Sequence, residues 1–199
     1  MRAAGLAIIG CLSACAFSAE YFPPASLGDT PREHQFQSDW YSKHLSALHE
    51  PSLWLESLQN PAAEVYRFLW LRSFHHPIVV RLVVSGETGL LTAKEANGQG
   101  GYQPGRLIRD TTVRLSKQQT QWFRDWFENI GFWKLPSRQE AEKDVLTLDG
   151  AAWVAEAVKG GRYKIVDRTS PPAEDPIHWI GTTLMIDLAH FRLLYQEVY

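Results

Sequence analysis

The segment "DGAAWVAEAVKGGRYKIVDRTSP", Asp149 to Pro171, holds the best candidate for a pair of working carboxylates in this chain. A general acid and a general base need two carboxyl groups aimed at one substrate, and in glycoside hydrolysis their separation sets the outcome. With a two-residue turn at Gly160-Gly161, Val158 faces Tyr163, Glu156 faces Ile165 and Trp153 faces Arg168, which brings Glu156 and Asp167 onto one face of a hairpin. The plainer expectation is that Asp149 shapes the turn before Gly150, Glu156 is solvated and Asp167 pairs with an arginine, because strands alternate polar residues on their wet faces. His75-His76-Pro77 is a second candidate, for a metal ion or a proton. Adjacent histidines in a hairpin point in different directions and no carboxylate lies nearby in sequence, so a surface turn is expected there. His44 and His49 stand five apart, whereas a zinc-binding helix presents ligands at i and i+4. No metal or other cofactor is expected.

Arg67, Arg81, Arg106, Arg109 and Arg114 all fall on expected strands. Arg67, Arg81 and Arg109, with Glu156 and Asp167, make the candidate ligand site, a groove for an acidic peptide, a carboxylate or a sugar acid. The alternative is that these arginines pair with strand carboxylates and bury their stems. The loop Gly98 to Gly105 is rich in glycine but lacks a Gly-Lys-Ser/Thr ending and leads into no helix, so it is expected to be a flexible loop rather than a phosphate cradle. No Gly-x-Ser-x-Gly elbow is present.

Both cysteines, Cys11 and Cys15, lie in the apolar N-terminal run "GLAIIGCLSACAFSAE". Behind the basic start Met1-Arg2, the uncharged stretch Ala3 to Ala14 has the length of a secretory signal and is too short to span a bilayer. Leu12-Ser13-Ala14-Cys15 resembles the bacterial lipobox, in which small residues admit the peptidase and the cysteine thiol accepts the diacylglyceryl group. The resemblance implies an acylated Cys15, a lipid bilayer as partner, and loss of Cys11 with the leader. Two or more acyl chains make a lasting anchor. Ala16 rather than Asp after Cys15 favours, by resemblance to the sorting rule of Gram-negative bacteria, the outer membrane facing the periplasm. The alternative is plain secretion with cleavage after Ser18. Either way the folded part holds no thiol, which excludes a cysteine nucleophile, a cysteine-rich zinc site and a redox pair.

Residues 1–14 are thus expected to be the signal segment, 15–35 a lipid-attached tether with Pro23-Pro24 and Gly28, and 36–199 one globular domain. A formal charge of −2 and the lack of any lysine or arginine run support neither nucleic acid as a partner nor attraction to anionic lipid by charge. Helices are expected at Ser38 to His49 and, as a short turn, at Leu53 to Leu58. Strands are expected at Val65 to Phe74, Ile78 to Ser85, Leu90 to Ala96 and Arg106 to Leu115. Ser116 and Gln119 form a capping-box pattern opening a helix whose stripe is Trp122, Trp126 and Ile130, with Phe123 and Phe127 beside it and Gly131 at its end. A last helix is expected from Ile177 to Tyr199, with Ile180, Leu184, Leu188, Phe191 and Tyr195 on one side. Short loops favour antiparallel pairing, so the fold class is α+β: about six strands packed by an aromatic-rich helix and a C-terminal helix.

The stretches "RLVVSGETGLLTAKEANGQGGYQPG" and "WFRDWFENIGFWKLP", with the hairpin, resemble an uncharacterised family of small bacterial envelope proteins over about residues 64–171. Thr169 departs from that pattern, which carries an aromatic after the position of Arg168. The resemblance implies a fold and an envelope location but no activity. The expected function is a non-catalytic binding or interaction domain in the cell envelope, with an unknown envelope protein or small ligand as partner. The alternatives are an envelope hydrolase acting on glycan or peptide, and a periplasmic immunity protein.

Overall fold

A computed structural model describes residues 21–138, 150–193 and 198–199. Cys11, Cys15, Asp149 and Tyr195 lie outside the described residues. Six strands form one antiparallel sheet in the order β4-β3-β2-β1-β5-β6. They are β1 (Glu64–Arg72), β2 (Ile78–Ser85), β3 (Thr88–Ala96), β4 (Leu107–Leu115), β5 (Ala151–Lys159) and β6 (Arg162–Thr169). The α+β class is as expected. The β5–β6 register matches the sequence reading, with Val158 opposite Tyr163, Glu156 opposite Ile165 and Trp153 opposite Arg168. Gly160 and Gly161, at φ 58° and 72°, supply the left-handed pair that a tight hairpin turn demands.

Helices cover both faces. On one, α1 (Pro31–Ala47) and α2 (Leu53–Gln59) lay Tyr41, Leu45, Leu48 and Leu53 over Leu69, Leu71, Val154, Val65 and Val158. On the other, α3 (Lys117–Ile130) and α4 (Pro176–Thr182) close over the larger cluster containing Tyr66, Phe68, Trp70 and Trp153. Strands β1 and β5, at the centre, are therefore buried on both faces along almost their whole length.

Three expectations change. The chain from Tyr21 is not an extended tether: Phe22 and Leu27 are buried, and α1 starts at Pro31 behind a Thr30/Glu33 capping box that the sequence reading passed over. In α3 the expected Ser116/Gln119 capping box is present, but the buried residues are Thr120, Phe123 and Phe127. Phe123 and Phe127 meet the Tyr66 ring edge-on at 5.1 and 4.6 Å. The wider indole of Trp122 is left 47% exposed, stacked on Trp126. The C-terminal helix is shorter than expected. After α4 the chain widens into a π-helical turn (Thr183–Leu188), and His190 at φ 54° ends it, so that Phe191 turns back to the sheet.

Candidate functional site

Glu156, Arg67 and Arg81 come together, but inside the protein. Antiparallel pairing sets Arg67 opposite both Glu156 on β5 and Arg81 on β2, with all three side chains on the α1–α2 face. Arg67 Nε donates to Glu156 Oε2 at 2.7 Å, and neither side chain has any solvent exposure. Glu50, between α1 and α2, reaches into the same space. Its carboxylate accepts from Arg81 Nε and Lys94 Nζ, both at 2.7 Å, and lies 3.8 Å from Arg67 Nη1. Glu50 is aimed there by the end of α1. His49 takes φ 54°, its N–H donates to Ser46 and the N–H of Glu50 donates to Leu45, the paired bonds of a Schellman motif. Tyr163 closes the cluster by donating to Glu156 Oε1 at 2.8 Å.

Burial works against the Arg67 charge, but Glu156 and Glu50 outweigh it and hold the guanidinium above its ordinary pKa. Burial first, and Glu156 second, push the Tyr163 hydroxyl well up. Glu156 is therefore not solvated. The groove expected across Arg67 and Arg81 is absent, because α1, α2 and Glu50 fill that face. Asp167 lies on the same face but is separate from this cluster. Its Oδ2 accepts from the Tyr41 hydroxyl at 2.8 Å, and Arg168 and Arg138 act on it only through space. Burial raises its pKa from 3.8 to about 6. The carboxylate pair seen in the sequence thus has no shared opening for a substrate.

Arg109 is on the opposite face, where the open cleft is. This cleft, of about 620 Å³, lies between the β1–β2 turn, the β3–β4 end of the sheet and the segment after the π-helical turn. Arg109 stacks on Phe191 at 3.9 Å and its Nη2 donates to the Ala189 carbonyl at 3.4 Å. Arg192 and the largely buried Arg72 also line the cleft, with Phe74, Ile78 and Leu193 as apolar wall. Among the described residues, no carboxylate pairs with Arg109 or Arg192. The two histidines diverge. His76 Nδ1 bonds Glu95 Oε1 at 2.7 Å, and His75 Nδ1 bonds the Tyr199 hydroxyl at 2.8 Å. Sequence reasoning missed Glu95 because it comes from β3, and missed Arg72 and Arg192 because only the return of Phe191 to the sheet gathers them.

The other candidates do not assemble into a site. His44 is buried with its ring against the Trp40 carbonyl, and burial lowers its pKa. Arg106 precedes β4, and Arg114 is exposed on it. The glycine-rich loop is not a free hinge. Its amides at Gly98, Gln99, Gly100 and Gly101 donate to Pro104, Gln103, His75 and Ser73. Among the described residues no group of histidine and carboxylate side chains is arranged to hold a metal, and no helix is long and apolar enough to cross a membrane. No family model, no curated protein and no solved structure matches the chain.

Proposed function

We propose that this chain is a lipid-anchored binding protein of the bacterial cell envelope, and that its site is the basic cleft around Arg109. One observation carries the binding reading: the guanidinium-bearing side chains of Arg109 and Arg192 line one open cleft whose lining, among the described residues, includes one carboxylate, that of Glu95, itself bonded to His76. The half-buried Arg109 and the exposed Arg192 beside an apolar wall are suited to an anion with an apolar body, because the fork of donors fixes a carboxylate or phosphate while the wall excludes water. Arg109 is held in place by Phe191 and the Ala189 carbonyl, so little side-chain freedom is lost on binding. Among the described residues no serine, threonine or cysteine lines the cleft beside its histidines, and the reading is binding without chemistry.

Phenyl phosphate, an aryl group with an anionic head, is a suitable probe in titration calorimetry. Saturable one-site binding is expected, weakened about 10- to 100-fold in Arg109→Gln by loss of a charge-assisted bond and unchanged in Arg114→Gln. Absence of binding, or equal binding by Arg109→Gln, refutes the cleft. The anchor is tested separately by intact mass: the mature protein should begin at Cys15 and carry lipid, and Cys15→Ser should lose both. A mature chain beginning near Ala19 without lipid means a freely secreted protein.

A further inference from the structure

We propose that the end of the molecule carrying Phe36, Tyr102 and Phe74 rests on the surface of an anionic lipid bilayer, with the basic cleft beside it facing the headgroups. The inference builds on the lipid-anchored reading above. Singly exposed apolar residues are ordinary on any protein. These three are 68%, 55% and 50% exposed and come from three elements that are bonded together. Phe36 on α1 lies 6.3 Å from the Trp40 ring, and Trp40 Nε1 donates to the Gly100 carbonyl at 2.7 Å. One turn on, Lys43 Nζ donates to the Tyr102 carbonyl at 2.6 Å, and the Tyr102 ring stands 6.0 Å from Phe74 in the β1–β2 turn. The result is a rim of aromatic rings with a cation among them, the composition that settles at the boundary between headgroups and acyl chains.

Charge agrees with an anionic surface. The cations Lys43, Arg109 and Arg192 occupy this end. Acidic side chains near it include Asp39, bonded to Gln35, and Glu95, bonded to His76. The anchor enforces proximity. Only residues 16–20 separate Cys15 from Tyr21, and an extended chain spans at most about 3.6 Å per residue, so an acylated Cys15 lies within about 22 Å of Tyr21. Tyr21 is fixed to the domain, its carbonyl accepting from Ser52 and its hydroxyl donating to the Glu50 carbonyl. From Tyr21, four ring-to-ring steps of 5.0–6.3 Å through Phe22, Tyr41 and Trp40 reach Phe36. The domain therefore cannot stand far from the bilayer, and the exposed aromatic rim is within reach of it.

The test places an environment-sensitive dye at Gln103→Cys, beside Tyr102, and for reference at Leu58→Cys on the exposed side of α2, in the lipid-attached protein reconstituted into phosphatidylcholine vesicles with and without phosphatidylglycerol. The expected result is a blue shift at position 103 that grows with phosphatidylglycerol, no shift at position 58, and loss of the position-103 shift in Phe36→Ser/Tyr102→Ser. No shift at position 103, equal shifts at both positions, or a shift that survives Phe36→Ser/Tyr102→Ser overturns the proposal. So does a shift without lipid that depends on protein concentration, which means a second copy covers the rim. Phenyl phosphate binding and the intact mass involve neither Phe36 nor Tyr102, so failure here leaves the cleft and the anchor standing, and failure there is seen independently.

Discussion

Asp167 provides the sharpest test of the electrostatic reasoning. Burial lifts its pKa from 3.8 to about 6, against the opposing hydrogen bond from Tyr41 and the more distant pull of Arg168 and Arg138. A shift of about two units corresponds to about 3 kcal/mol of linked stability. The sign follows from the direction. The folded state holds the proton more tightly than the unfolded chain, so the stabilisation is fully present below about pH 3.8 and is lost as pH rises through about 6. Asp167→Asn keeps the size of the side chain and an oxygen for the Tyr41 hydroxyl but removes the titration. The stability of Asp167→Asn relative to the parent should therefore rise by about 2 kcal/mol between pH 4 and pH 7. Urea unfolding at a series of pH values reads this difference, in which the titrations of other groups cancel. A difference that is flat across that range would refute the argument, because it would mean that the folded protein leaves the Asp167 carboxyl as well hydrated as the unfolded chain does. Tyr41→Phe, by removing a bond that favours the ionised form, should move the midpoint of the parent's pH dependence upward.

Two further outcomes follow from packing and charge. Arg67→Met strands Glu156 and removes one of the cations around Glu50, and should lower unfolding stability by about 3–5 kcal/mol, while Arg67→Met/Glu156→Leu should recover much of that loss in the same urea assay. Gly181 lets α4 lie directly on the sheet, since a Cβ there would fall 2.5 Å from Phe68 Cζ and 2.8 Å from Trp153 Cζ3; Gly181→Ala should lower stability by about 1–3 kcal/mol and the thermal midpoint with it.

Much of the fold was legible because its signals are local. The period-two and β-branched runs of β1 to β3, the glycine pair between β5 and β6, and the Ser116/Gln119 cap each act within a few residues, and each is found where the sequence puts it. The cap at Thr30/Glu33 was equally local and was overlooked because Pro23-Pro24 and Gly28 suggested an extended segment. The buried face of α3 was not legible. Phe123/Phe127 and Trp122/Trp126 offer overlapping apolar stripes of equal period, and only the position of Tyr66 selects between them.

The sequence by itself determined the element order, the antiparallel α+β class, the hairpin register and the confinement of both thiols to the N-terminal run, since these follow from periodicity, turn chemistry and composition. Only the tertiary structure decided which charges are open to solvent. Arg67, Arg81 and Arg109 look alike along the chain, yet the parity of their strand positions sends the first two under α1 and α2 to Glu50 and Glu156 and the third to the other face. A one-residue change of parity exchanges the faces of a strand, and whether a face is sealed depends on helices distant in sequence. The site for a ligand is therefore a property of how the layers stack, which no single segment encodes.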